Sequence, residues 1–214
     1  MRHESERVPG KNYRALAGKP LFHHIVSTLL AVPEIDLVAI DTDSPAIAAD
    51  AADAFPDVVV LDRPAHLLGG DVPMNEILLH DVDVIEADLY LQTHSTNPLL
   101  RTATITAAIG AFHAAHGRRD SLFGVTPLQA RLWTEDGQPL NHDPSVLLRT
   151  QDLPPLLEEN SCLYIFTGEG LRRRGNRIGE RPLLYPIDRA EASDIDEEVD
   201  WLVVEALLGS TRQL

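Results

Sequence analysis

The sequence predicts an α/β fold, a mainly parallel sheet with helices on both faces. Two observations predict it. Short apolar runs alternate with helical patterns through the first 127 residues, in the order expected of βαβ units. The chain has 214 residues, 44% hydrophobic and 24% charged, which is enough for one sizeable core in a folded globular domain.

Each element has a local reason. "LFHHIVSTLL" follows Lys19-Pro20 and reads as a helix entered at proline. "DLVAI" is a short β run ending in polar "DTDS", and Ser44-Pro45 then opens the helix "AIAADAADAF". "DVVVL" predicts a strand, "PMNEILLHDVDVIE" a helix, and "DLYLQ" a strand running into the polar loop "THSTNPLLR". "TATITAAIGAFHAAH" is a helix and "SLFGVTP" a strand. Ligands of such sheets bind beyond the carboxyl ends of the strands, so the polar strand ends are the places to look. Near Pro127 the rhythm breaks. Residues 127–160 are rich in turn signals ("EDGQP", "NHDP") and read as an arm or subdomain inserted into a single domain spanning 1–214. "NSCLYIF" and "PLLYPI" are further strands, and "DEEVDWLVVEALL" is a closing amphipathic helix.

The formal net charge of −15 argues against a general nucleic-acid binder, which needs a broad basic surface. It leaves room for a small anionic ligand, provided the site gathers local positive charge. The single cysteine, Cys162, excludes an intramolecular disulfide, suits a reducing cytosol, and sits in an apolar run as a small buried hydrophobe would. No run reaches the roughly 20 apolar residues of a membrane span.

Three constellations carry chemistry. The opening "MRHESERVPGKN" supplies charge through Arg2, Arg7 and Lys11, hydrogen bonds through Ser5 and Asn12, and close backbone approach at Gly10. Such a loop suits a triphosphate; the alternative is a charged tail without function. In "EASDIDEEVD", Asp194 and Asp196 point to one face of an extended chain and suit Mg²⁺, which binds through one or two carboxylates plus substrate phosphates. Ser193 or Asp194 as a cap of the final helix is the competing reading. "DTD" at Asp41 to Asp43 has the same ambiguity. In "RTQDLPPLLEEN", Arg149 can grip a carboxylate through two parallel bonds, and Gln151 and Asn160 offer amides for sugar hydroxyls; an ordinary solvated turn is the alternative. His23, His24, His80, His113 and His116 lack metal-ligand spacing and read as helix-face residues.

In this order, these segments resemble the acylneuraminate cytidylyltransferases, or CMP-sialic acid synthetases. The likeness rests on Arg2, Ser5, Pro9, Lys11 and Asn12 of the opening loop, on "LAGKPL", on "DTDS", and on "RPAHL" at 63–67. It continues through "LQTHSTNPLLR", "RTQDLP…EENSCLYIF" and "SDIDEEVD", covering essentially the whole chain. Glu4, Glu6 and Arg7 replace frequent glycine, lysine and glycine, Ser161 replaces a frequent glycine, and "SERVPGK" leans toward the related CMP-3-deoxy-octulosonate synthetases.

The resemblance implies a Rossmann-like nucleotidyltransferase that activates an acidic 2-keto-3-deoxy sugar with CTP and releases pyrophosphate. Another octulosonic or nonulosonic acid is the alternative substrate, and a non-catalytic nucleotide- or sugar-binding relative is the alternative class. It implies that Arg2, Ser5, Lys11, Asn12, Arg63 and Asn75 bind the nucleotide, with Arg2 and Lys11 also catalytic. Asp194 and Asp196 are the expected catalytic Mg²⁺ ligands, and Gln92, Arg149, Gln151 and Asn160 the sugar-holding set. It further implies a cytoplasmic homodimer whose 127–160 arm reaches the partner's site. In this fold a triphosphate loop follows a first, central strand, yet none precedes Arg2. The expectation is therefore that the natural chain begins several residues upstream, in a Val/Ile-rich stretch, and that Met1 is internal.

Overall fold

The computed structural model describes residues 1–115 and 117–211; His116 lies outside them. A small hairpin, β1 (Ala15–Leu16) and β2 (Lys19–Pro20), turns through Ala17 and Gly18, both at positive φ, the geometry that matches the twist of paired strands. It leads into α1 (Leu21–Leu30), entered at Pro20 as the sequence predicts. β3 (Ala39–Thr42) runs into α2 (Pro45–Ala54), whose first turn is capped by Ser44 Oγ accepting from Ile47 N at 3.3 Å. β4 (Val59–Asp62), α3 (Met74–Val84), β5 (Tyr90–Thr93), α4 (Thr102–Ala114) and β6 (Ser121–Leu128) follow where the periodicity puts them.

β7 (Leu156–Phe166) returns from the excursion 129–155 directly alongside β6. With no helical crossover between them the two pair antiparallel. β8 (Pro182–Pro186) then pairs parallel with β6. The larger sheet has the order β5-β7-β6-β8, mixed because β7 runs against the other three; β3 and β4 form a separate parallel pair. α5 (Gly168–Arg174) was not foreseen in the sequence, though Thr167 caps its start and Gly175, at φ 65°, ends it. α6 (Glu198–Thr211) closes the chain.

Alternation along β7 divides the core. Leu163 and Ile165 face α1 and α4 (Phe22, Ile25, Ile105, Ile109), whereas Tyr164 and Phe166 face Leu78 and Val82 of α3 and Leu171 of α5. A third cluster joins Val8 of the opening loop and Leu16 and Leu21 to Ile195, Trp201 and Val204, anchoring that loop on α6. Cys162 is a buried free thiol, its pKa pushed up to about 12 by burial, as the apolar run around it implied. The excursion carries a bridge between Trp133 and Pro139 and exposes Leu140, Val146 and Leu147.

Between β3 and β5 the sheet is interrupted. Among the described residues β3 pairs only with β4 and β5 only with β7, and a cavity of about 720 Å³ lies between their free edges.

Candidate active site

The opening loop and the start of α6 are brought together although they stand at opposite ends of the chain. Val8 is fully buried against Trp201 and Ile195. Arg14 stacks over the Trp201 ring at 4.2 Å and grips both Glu198 carboxylate oxygens, at 2.6 and 2.8 Å. With the loop pinned, Lys11 Nζ donates to Ile195 O at 2.6 Å and reaches Asp196 Oδ1 at 3.4 Å. Arg7 donates to the same Asp196 oxygen at 2.8 Å. The segment carrying the two aspartates is fixed from the other side by Ile195 N donating to Thr96 O at 2.9 Å and Asn97 Nδ2 donating to Ser193 O at 3.4 Å.

The capping alternative for Ser193 and Asp194 is resolved by a residue further on. Asp200 Oδ2 accepts from Asp196 N and Glu197 N at 2.9 and 2.7 Å, so the helix start is satisfied from inside its own first turn. The Asp194 and Asp196 side chains are therefore not spent on capping α6. Asp194 is raised above the usual carboxylate range chiefly by burial and also by the charge of Asp196, and its Oδ1 is buried with no hydrogen-bond partner among the described residues. A buried, partnerless carboxylate oxygen beside a second carboxylate is chemistry that fits a hard divalent cation. No group of three or more metal-capable side chains occurs among the described residues, so such a cation would draw its remaining ligands from substrate and water. Both aspartates line a cavity of about 510 Å³ together with Asn160, Glu158, Glu159 and Arg189.

Asn160 is fixed by Nδ2 donating to Thr126 Oγ1 at 3.0 Å and Oδ1 accepting from Cys162 N at 3.3 Å. The register shift between Phe123 and Val125 leaves room for it at Gly124, where a Cβ would stand 2.6 Å from Asn160 Oδ1. Asn12 is buried, donating to Arg2 O at 2.8 Å and accepting from Ser95 Oγ at 2.7 Å, which ties the opening loop to the loop after β5. Arg2 donates to Gly70 O at 2.9 Å, and Ser5 is half-buried in the same loop.

A second polar group forms around a residue the sequence reading missed. Arg177 lies 3.5 Å over the Tyr164 ring, donates to Gln92 Oε1 at 2.5 Å, and through its backbone N donates to Asn75 Oδ1 at 3.2 Å. Burial lowers its pKa, and the nearby Tyr164 and Glu159 partly offset that. Asn75 and Gln92, expected to serve nucleotide and sugar respectively, thus meet at one residue, Asn75 at its backbone N–H and Gln92 at its guanidinium. The available signal was the Thr167 and Gly175 punctuation of α5, which sets Arg177 just beyond that helix. His94, two residues after Gln92, is held neutral with a pKa near 4 by burial and by the Arg177 charge.

Two expected residues stand elsewhere. Arg149 is on the exposed excursion, where it holds Asp152 through two bonds of 2.7 and 3.0 Å, and Gln151 beside it is exposed. Neither lines the cavities described above. Arg63 is buried and committed to Asp41, whose neighbour Asp81 is raised to about 7 by burial and by the Asp41 charge. His23 bonds Asp50 and His24 bonds Leu16 O, in keeping with helix-face roles.

The chain is similar to known proteins in sequence and in fold. A family profile for cytidylyltransferases matches residues 1–199. The chain is 27% identical over 223 residues to a CMP-N,N'-diacetyllegionaminic acid synthase of Legionella pneumophila, covering 95% of this chain and 91% of that one. It is 26% identical to N-acylneuraminate cytidylyltransferase A of Danio rerio, covering 94% of this chain but 47% of that one. The structure of a CMP:2-keto-3-deoxy-manno-octonic acid synthetase complexed with CTP superposes with a TM-score of 0.74 at 16% identity, over 99% of this chain and 96% of that one. A 4-diphosphocytidyl-2C-methyl-D-erythritol synthase superposes with a TM-score of 0.68 at 18% identity, over 92% and 94%. With nearly its whole length matched, the chain belongs to the cytidylyltransferase family.

Proposed function

We propose that this protein transfers the cytidylyl group of CTP to the anomeric hydroxyl of an acidic 2-keto-3-deoxy sugar of the sialic or legionaminic type, releasing pyrophosphate. The observation that carries the reading is the meeting of Lys11 with Asp196, beside Asp194 and its partnerless buried oxygen. A triphosphate needs fixed cations, and an anionic substrate entering beside two carboxylates needs their charge neutralised.

Arg2, Lys11 and the loop amides would bind the phosphates, with Ser5 and Asn12 shaping the loop around them. Arg63, through the Asp41 pair, and Asn75 support the base side. Asp194 and Asp196 would hold Mg²⁺, which when bound neutralises phosphate charge. Lys11 stands ready to donate from Asp196 to a phosphate oxygen, and the rigid Val8–Trp201 anchor keeps it there without reorganisation. Positioning and charge stabilisation are most of what phosphoryl-type transfer asks of a protein. Gln92, Asn160 and Arg177 would orient the sugar. Arg149 and Gln151 reach the sugar of a partner subunit in a cytoplasmic homodimer, a reading supported by the exposed Val146, Leu147 and Leu148 preceding them.

Pyrophosphate release, measured with each of the four ribonucleoside triphosphates, Mg²⁺ and a panel of 2-keto-3-deoxy acids, tests this. The expected result is turnover with CTP and a nonulosonic acid. Turnover with octulosonic acid alone would move the substrate to the neighbouring class, as the "SERVPGK" loop suggests. CTP binding without turnover on any acid would favour a binding protein.

A further inference from the structure

The polar group around Arg177 is built so that it offers a ligand donors. Its backbone N–H donates to Asn75 Oδ1 at 3.2 Å, and its guanidinium donates to Gln92 Oε1 at 2.5 Å. A peptide N–H and a guanidinium can only donate, so both amides are fixed with their oxygens turned toward Arg177. What these side chains can still present is N–H. Gln92 gives one Nε2 proton to Thr93 O at 3.2 Å and has a second; Asn75 has its Nδ2 protons; a guanidinium has five N–H donors, of which Gln92 takes one. Tyr164, whose ring lies 3.5 Å from the guanidinium carbon, gives its hydroxyl proton to Glu159.

The cradle is also positive. Burial lowers the Arg177 pKa, Tyr164 and Glu159 offset part of that, and the Arg177 charge joins burial in holding His94 neutral. A half-buried cation among N–H donors is matched by a group that is anionic and carries no proton of its own. Arg149, the other candidate for such a group, already holds the Asp152 carboxylate through two bonds, on a side chain 72% exposed.

Position completes the case. Gln92 stands near the carboxyl end of β5, and the loop that follows meets Asn12 through Ser95 Oγ and Ile195 N through Thr96 O. One loop therefore joins the cradle to the Lys11–Asp196 contact. In the closed ring of a 2-keto-3-deoxy acid, the carbon that carries the carboxylate also carries the hydroxyl that attacks. Gripping the first aims the second.

We propose that Arg177, with the amide N–H groups of Gln92 and Asn75, is the carboxylate subsite for the acid sugar within its own subunit, leaving Arg149 to reach other groups of a sugar. The identity of the ligand rests on the cytidylyl-transfer reading above.

Calorimetric titration of N-acetylneuraminic acid and of 3-deoxy-octulosonic acid, each as the free acid and as its primary carboxamide, tests this beside pyrophosphate release from CTP. The amide keeps the size of the carboxylate, loses its charge and turns an amino group toward a cradle that donates. The parent should prefer acid over amide by about a hundredfold or more. Arg177→Met should cut that ratio to about threefold or less, and Arg177→Lys, a point charge without the planar fork, should keep part of it. Arg149→Ala should weaken acid and amide alike. Gln92→Glu supplies the guanidinium with an internal carboxylate, so Tm of the ligand-free protein should hold or rise while acid binding falls about tenfold or more. A parent that does not distinguish acid from amide, whether it binds both or neither, overturns the subsite. So does a ratio that survives Arg177→Met, one lost in Arg149→Ala, or full acid binding by Gln92→Glu. Turnover with CTP beside any of these leaves the transfer reading standing. A ratio that collapses in Arg177→Met without pyrophosphate release from any acid keeps the subsite and removes the enzyme reading.

Discussion

Asp194 and Asp196 differ in what holds them, and that difference is testable. Asp196 is already met by Lys11 and Arg7, while Asp194 has an oxygen with no partner among the described residues and a raised pKa. A carboxyl whose folded pKa is raised contributes stability below its unfolded pKa and loses it as pH rises through the folded value. Above that folded value, where it is ionised, Asp194 therefore opposes folding. Asp194→Asn should cut turnover by about 10²–10³-fold, a loss of several kcal/mol of charge stabilisation, while Tm of the ligand-free protein holds or rises. Loss of activity together with a large fall in Tm would mark a structural residue instead. The cations separate the substrates in the same way. Lys11→Ala should weaken CTP, Arg177→Met and Arg149→Ala should raise KM for the sugar by about tenfold or more, and titrating each substrate separately reads the split. Arg149→Ala weakening CTP alone would reverse the two pockets.

At the scale of elements, β7 carries a local conflict. Ser161 adopts φ 56° where the resembling proteins frequently have glycine, next to the register shift that seats Asn160. The left-handed conformation costs an L-residue roughly 1–2 kcal/mol, partly offset by the entropy that glycine would lose on folding. Ser161→Gly should therefore stabilise by up to about 1 kcal/mol, some 2–4 °C in Tm, with activity retained. An unchanged or lower melting temperature would mean that the serine hydroxyl, 3.5 Å from Tyr164 Oη, contributes more than its geometry suggests. The excursion 129–155 makes the other prediction at this scale. Leu147 is 89% exposed, an unusual position for leucine at the tip of an ordered segment. Leu147→Asp should convert the expected dimer to a monomer by light scattering and lower activity, while leaving the fold of each chain intact; a dimer that survives would place the interface elsewhere.

For the whole molecule, two buried groups give the stability curve opposing slopes. His94 titrates near 6.5 when unfolded and near 4 when folded, so between these values acid adds a proton to the unfolded chain only and stability falls as pH drops. Asp81 runs the other way, from 3.8 unfolded to about 7 folded, so stability falls as pH rises across that window. Each slope is at most about 1.4 kcal/mol per pH unit, and they offset one another between pH 4 and 6.5. Thermal melts at pH 4.5, 5.5 and 6.5 should show Asp81→Asn gaining stability with pH more steeply than the parent, and His94→Gln losing it; parallel curves for all three would refute both assignments. Neither group was legible in the sequence, because burial and the approach of Arg177 or Asp41 are products of folding. The elements themselves were legible. Pro20, Ser44-Pro45 and the alternating runs placed most helices and strands within a few residues, since propensity, capping and periodicity are local properties. The charge of the opening loop and the spacing of Asp194 and Asp196 were likewise visible as candidate features, because charge at close spacing is written in the chain. Tertiary structure alone decided that Lys11 closes on Asp196, that Asp200 rather than Ser193 or Asp194 caps α6, that β7 turns the sheet mixed, and that Arg177 joins Gln92 and Asn75. Each of these depends on contacts between residues far apart in sequence or on competition among neighbours for the same backbone group, and local pattern carries no record of which partner wins.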